Sequence, residues 1–270
     1  MNNLTTYIVD SFTNEPFKGN PAGVCILETK LDDSLMLSIA KELGLSETAF
    51  ILRSSVAEYE IRFFSPVMEI PLCGHATMAA AKVVYEQYPE LETIHFTNIQ
   101  HLDLKIEREK QQIVMTFPVY STLPAEAPKA LLGALGIEKV INSAFNDEMK
   151  ILLVEIDDCN VLRNLNPDFE ALKRSHDSIN GVLITAIAEN PEFDFESRYF
   201  WPWSGTNEDP VTGGTHTFLA KYWADRLKKR KMKSFQCSER TGTMEVEMLN
   251  NDWLTIKSTA RIVFEGRLRI

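Results

Sequence analysis

A chain of 270 residues, 44% hydrophobic and 24% charged, has ordinary globular composition and is long enough for one large domain or two of common size. Its formal net charge of −10 disfavours nucleic acid or an anionic membrane surface as the main partner, since both reward clustered Lys and Arg. The four cysteines (Cys25, Cys73, Cys159, Cys237) are scattered without a C-x-x-C pair, which speaks against a disulfide scaffold or a zinc site.

In chain order, Thr6 to Asp10 alternates like a strand, and the turn-rich stretch Asn14 to Pro21 is a loop before a second strand over Ala22–Leu27. Met36, Ile39, Ala40 and Leu43 fall at helical spacing, and Gly44 supplies a stop. Ser46 to Leu52 begins as a loop and becomes a strand, Ile61–Phe64 is another, and Cys73–Tyr88 is an Ala-rich, buried helix. Leu102–Ile106 and Ile113–Phe117 form a hairpin. Pro118, Pro124 and Pro128 then break the pattern, so the lobe boundary is expected near residue 118, with 119–270 as the second lobe and the end of the chain near 260–270 able to join the first.

The second half replays this order. Ile151–Ile156 is a strand, Asn166-Pro167 reads as an N-cap with Pro at the first helical position, Gly181–Ala188 and Glu196–Trp201 are strands, and Thr215–Lys228 is a helix. Met244 to Met248 pairs with Trp253–Ile256. The basic run Lys228 to Lys233 reads as a solvated helix terminus. Arg261–Phe264, a turn at Glu265-Gly266 and Arg267–Ile270 close the chain as a short hairpin. The start Met1-Asn2-Asn3-Leu4 lacks a secretory signal, and no apolar run nears the ~20 residues of a membrane span. A soluble cytoplasmic protein is expected.

Two segments look like copies of one pattern. Arg62-Phe63-Phe64-Ser65-Pro66 leads to Pro71-Leu72-Cys73-Gly74-His75-Ala76-Thr77 and a helix; Arg198-Tyr199-Phe200-Trp201-Pro202 leads to Pro210-Val211-Thr212-Gly213-Gly214-Thr215-His216 and a helix. Each offers backbone N–H groups at a helix start, suited to an anion such as a carboxylate. The expected class is α+β, with two pseudo-symmetric lobes, each a largely antiparallel curved sheet or barrel around a central helix.

Glu47 lies between a helix stop and an apolar strand. Burial there is expected to raise its pKa and suit it to proton transfer; a surface Glu is the plainer reading. His75 lies at the start of the buried helix, where the positive dipole end favours a neutral imidazole. A helix cap explains Asp209 well, and a functional role is favoured only because the same location in the first copy carries Cys73 and His75. Cys73 is a thiol at a helix end, and its counterpart Thr212 is too weak an acid to match it, which disfavours a two-thiol racemase. Asn20, in Gly19-Asn20-Pro21, is a turn amide able to face a cleft.

Five ordered segments carry a resemblance. They are Val9-Asp10-Ser11-Phe12-Thr13 with Pro16-Phe17-Lys18-Gly19-Asn20-Pro21-Ala22; Ser46-Glu47-Thr48-Ala49-Phe50; Arg62-Phe63-Phe64-Ser65-Pro66; Cys73-Gly74-His75-Ala76-Thr77; and Asp209-Pro210-Val211-Thr212-Gly213. Together they resemble the phenazine biosynthesis PhzF-like family, which has the diaminopimelate epimerase-like fold and is similar to proline racemase. The resemblance implies a homodimeric isomerase needing neither cofactor nor metal, acting on a small carboxylate substrate held in the cleft between the lobes. Glu47, His75 and Asp209 would be catalytic. Asn20, Cys73, Gly74, Thr212, Gly213, Gly214 and Thr215 would bind substrate. Where the family usually has Ser-Ala-His, this chain has Gly214-Thr215-His216, so a hydroxyl donor is lost at 214. A cofactor-independent racemase or epimerase, and a catalytically silent binding protein of the same fold, are the alternatives.

Overall fold

The computed structural model describes residues 3–270; Met1 and Asn2, at the start read above for a signal, lie outside the described residues. Contacts divide the chain into two compact units, residues 1–116 with Lys257–Ile270 and residues 117–256.

In the first unit, Asn3–Ser11 pairs antiparallel with Asn20–Leu27 and with Ala260–Arg269. Helix Asp33–Leu43 crosses over so that Thr48–Arg53 lies parallel to Asn20–Leu27. Glu58–Phe64 follows antiparallel, edged by the short strand Glu69–Ile70. Helix Gly74–Gln87 makes a second crossover, to Thr93–Thr97, which lies parallel to Glu58–Phe64 and opens an antiparallel meander with Asp103–Glu109 and Gln112–Pro118.

The second unit repeats the scheme. Asn142–Asn146 pairs antiparallel with Ile151–Glu155, which lies parallel to Gly181–Ile187 after a crossover of two short helices, Cys159–Arg163 and Phe169–Arg174. Phe195–Trp201 is antiparallel to Gly181–Ile187 and edged by Thr206–Glu208. Helix His216–Leu227 crosses to Lys231–Gln236, parallel to Phe195–Trp201 and antiparallel to Gly242–Met248. A tight turn leads on to Trp253–Ser258, with Asn250 Oδ1 accepting the N–H groups of Asp252 and Trp253. The α+β class is thus a mostly antiparallel arrangement with, among the described residues, two parallel pairs in each unit.

Helix Gly74–Gln87 is buried on nearly every side from Ala76 to Tyr85, and packs on Asn3–Ser11, Asn20–Leu27, Thr48–Arg53 and Ala260–Arg269. A helix buried on nearly every side has to be enclosed, and the small Ala79, Ala80 and Ala81, pointing to successive sides, let strands approach closely. It ends at Tyr88 because Pro89 disfavours helical backbone at the residue before it. Beneath helix Asp33–Leu43, Met36, Ile39 and Ala40 pack with Cys25, Phe50 and Phe64, whose rings meet edge to face at 5.6 Å. In the second unit Leu131, Leu135, Leu152, Val154, Leu162, Leu172, Ile184 and Phe200 form one core. Trp223, fully buried on helix His216–Leu227, stacks on Phe195 and donates its indole N–H to Thr185 Oγ1 at 3.0 Å.

Four expectations are corrected. The chain closes with one strand, Ala260–Arg269, rather than a hairpin: Gly266 pairs with Thr6 in register, and the Phe264 ring occupies the space a Cβ would need, 2.5 Å away. That glycine serves close packing, not a turn. The cap expected at Asn166 is made two residues later by Asp168, whose carboxylate accepts the Ala171 N–H at 2.9 Å. The basic run is only partly a helix end. Lys228 is the left-handed C-cap, while Lys231–Gln236 is a strand with Met232 turned inward. Asp209 caps no helix, because His216–Leu227 starts seven residues beyond it.

Candidate active site

Local structure sets Glu47 in place. Gly44, left-handed at φ 64, closes helix Asp33–Leu43 by donating its N–H to Ala40 O at 3.1 Å. Three residues on, the Glu47 carbonyl accepts the Gly23 N–H at 3.0 Å, tying its backbone to the neighbouring strand. Its side chain is 14% exposed, and Oε2 lies 3.0 Å from His75 Nε2. His75, 12% exposed, stands in the first turn of helix Gly74–Gln87, and its carbonyl accepts the Ser11 hydroxyl at 2.7 Å. The other ring nitrogen, Nδ1, lies 3.4 Å from Cys73 Sγ, and the Ser46 hydroxyl is 3.4 Å from Nε2. Carboxylate, imidazole and thiol therefore form one contiguous cluster, and these three are also a group whose ligand atoms could hold a metal ion.

The charges differ from the expectation. Burial pushes the Glu47 carboxyl up, but the hydrogen bond and charge of His75, with a hydrogen bond from Ser46, outweigh it and hold the carboxyl below its ordinary value. Burial disfavours the His75 imidazolium, yet Cys73 and Glu47 together hold its pKa well above the usual 6.5. Both shifts favour a carboxylate beside an imidazolium. The raised Glu47 and neutral His75 expected from burial and the helix dipole are corrected, because Cys73, two residues from His75, and the Glu47–His75 contact across 28 residues together outweigh burial.

Asn20 is fully buried as the first residue of its strand, opposite Ser11, the residue that holds the His75 carbonyl. The preceding Gly19 has φ 66, and a Cβ there would lie 2.1 Å from Ser11 O, so only glycine lets the chain turn this closely. Asp10 completes the loop, its carboxylate accepting the Phe17 N–H at 2.7 Å. No spacing or residue pattern marks Ser11, Ser46 or Asp10 as functional, although all three lie inside the matching segments.

Asp209 and Thr212 make their own pair in the second unit. The Thr212 hydroxyl donates to Asp209 Oδ2, and the Thr212 N–H donates to Gln236 Oε1 at 2.8 Å. The Gln236 amide in turn donates to the Asp209 carbonyl at 2.8 Å. Gly213 and Gly214 precede the helix, and the Thr215 hydroxyl is spent on Thr212 O at 3.0 Å. Gly214 has room: a Cβ there meets only Met149 Cε, at 3.5 Å. Gly214→Ser, which restores a hydroxyl, is therefore expected to change stability by less than about 1 kcal/mol, as read from the urea midpoint.

The two helix starts superimpose in logic. Thr77 Oγ1 bonds Cys73 O at 2.7 Å, and His216 Nδ1 lies 3.1 Å from Thr212 O at the same offset. A carbonyl only accepts, so Nδ1 carries the proton and Nε2 faces the Ser234 hydroxyl at 2.9 Å. His216 is thus a core residue in the second unit. Burial lowers its pKa from 6.5 to about 4, against the opposing backbone hydrogen bonds of Thr212 and Gly213. With a depressed folded pKa, the unfolded chain takes up the proton first as pH falls. Stability from this group is complete above 6.5 and is lost towards 4. The loss is about 3 kcal/mol, and His216→Gln is expected to flatten the fall in urea midpoint over that range.

Each copy also carries a fork that holds the loop before its helix. Arg62 Nε and Nη2 grip Glu69 at 2.7 and 2.6 Å; Arg198 Nε and Nη2 grip Glu208 at 2.7 Å each. Glu208 adjoins Asp209. The repeated Arg was visible in the sequence, but its partners sit seven and ten residues on, so the pairing was not.

A family model described as phenazine biosynthesis-like protein matches residues 9–266. The chain belongs to this family. Among the family's relatives, a phenazine biosynthesis-like domain-containing protein of Mus musculus is 37% identical over 98% of this chain and 99% of its own length. A Pseudomonas aeruginosa protein described as an uncharacterized isomerase is 40% identical, with 99% of each chain covered. A PhzF-family crystal structure from Enterococcus faecalis covers all of both chains with a TM-score of 0.91 at 35% identity. A predicted epimerase of Pseudomonas aeruginosa, 17% identical with a TM-score of 0.74, shows the shared epimerase-like fold alone. Isomerase is thus the activity given for some of the chain's relatives, which supports an isomerase-type activity here. Among the described residues of this member, no helix is long and apolar enough to cross a membrane.

Proposed function

We propose that this protein is an isomerase that moves a proton on a small carboxylic acid, with Glu47 as the group that takes and returns it. The observation that carries this reading is the 3.0 Å contact of Glu47 Oε2 with His75 Nε2 in a nearly buried pair. At neutral pH the carboxylate is ready to act as a base. It removes a proton from a carbon of the substrate; the C–H pair shifts along the conjugated system and an O–H bond forms on Glu47. The same O–H then delivers the proton to another carbon, restoring the carboxylate. His75 stabilises the ionised carboxylate before and after the transfer and orients it. The step draws only on the chain's own residues. The description of the Pseudomonas aeruginosa relative as an isomerase supports the reaction class.

The position of Cys73 beside His75 favours a second reading, an epimerase in which the thiolate is one of the bases. Solvent deuterium uptake into candidate acids separates the two. If Cys73→Ala abolishes exchange as fully as Glu47→Gln, the epimerase reading holds; the isomerase reading predicts far the larger loss at Glu47. For Asp209, whose carboxylate is spent on the Thr212 hydroxyl, the proposal is a substrate-orienting role, and Asp209→Asn is expected to lower exchange without abolishing it. The homodimer implied by the family resemblance is also part of the proposal, tested by sedimentation.

A further inference from the structure

The cysteine spacing gives no zinc motif, yet the fold brings three different ligand types together from two segments. Glu47 comes from the loop after helix Asp33–Leu43, and Cys73 and His75 from the start of helix Gly74–Gln87. A tetrahedral zinc ion with ordinary bonds to N, O and S sets its ligand atoms about 3.3 Å apart for N and O and about 3.6 Å apart for N and S. In this protein His75 Nε2 lies 3.0 Å from Glu47 Oε2 and 3.9 Å from Cys73 Sγ. All the ligand atoms fall within 4.8 Å of one another. Cys73 Sγ lies nearer the other ring nitrogen, 3.4 Å from Nδ1, so the metal geometry is reached by a rotation of the Cys73 side chain that carries sulfur from Nδ1 towards Nε2 and the carboxylate. A thiolate and a carboxylate together carry the charge that neutralises a divalent cation, and thiolate with imidazole selects zinc over magnesium or calcium.

We propose that Glu47, Cys73 and His75 form a binding site for zinc, and that the ion acts as an inhibitor by occupying the groups that would move the proton. The inhibitory part rests on the proposed function; the binding does not.

Cobalt(II) titration of the full chain tests the binding without any substrate, so its failure is separate from failure of the proton-transfer reading. One equivalent is expected to produce a near-ultraviolet thiolate charge-transfer band with tetrahedral visible bands, and zinc is expected to displace both. Cys73→Ser should lose the near-ultraviolet band. Glu47→Gln should keep it while binding at least about ten-fold more weakly. A second measurement needs no variant: zinc should protect Cys73 from alkylation, read by mass spectrometry of its peptide. Absence of the thiolate band in wild type, its persistence in Cys73→Ser, or unchanged alkylation of Cys73 with zinc would each overturn the site.

Discussion

Glu47→Gln is expected to reduce solvent deuterium uptake into an accepted carboxylic acid by about 10²- to 10⁴-fold, the usual contribution of a positioned acid/base group. The amide keeps the shape of the side chain and removes only its ability to take and return a proton. Because the Glu47 backbone is held by Gly23 and its chain path by the Gly44 cap, the variant should fold with an unchanged far-ultraviolet spectrum. Retention of wild-type exchange in a folded Glu47→Gln protein would remove Glu47 from the chemistry.

The second large effect is structural. Arg198 is 10% exposed at its side chain, grips Glu208 with two parallel bonds, and gives its remaining nitrogen, Nη1, to the carbonyl of Leu165 at 2.7 Å, with Leu162 O at 3.3 Å. Arg198→Leu leaves a mostly buried carboxylate and these carbonyls without their donor, and is expected to cost about 3–5 kcal/mol. Lysine offers no fork and should rescue little of this. The counterpart Arg62→Leu should cost less, because Arg62 is 25% exposed and its second partner, Asp33, is 76% exposed. Urea midpoints of the three variants test the order, and an equal loss at both arginines would contradict it.

Much of the architecture was legible because the chain repeats it. The Ala-rich segment after Cys73-Gly74-His75 and the Pro- and Gly-marked start of its counterpart announced two enclosed helices, and the same order of strands appears around each. Gly44 marked its helix end correctly, since a left-handed residue there is a local matter. The errors lie where distant partners decide. Glu265-Gly266 reads as a turn in isolation, but nine residue pairs with Asn3–Ser11 keep the strand continuous. Glu47 and His75 are both legible in the sequence, but their charges are not. Burial and a helix dipole are readable along the chain, whereas the contact between the two is a product of folding. The forks of Arg62 and Arg198 were hidden by unequal loop lengths. A duplicated Arg is visible; a partner displaced by three residues in one copy is not.

The ring-nitrogen NMR shifts of His75 across pH report the ionised Glu47–His75 pair most directly. His75 should remain an imidazolium well above 6.5 in the wild-type protein, and Glu47→Gln should move its titration downward. A His75 that titrates near 6.5, or one indifferent to the loss of the Glu47 charge, would contradict the ionised pair.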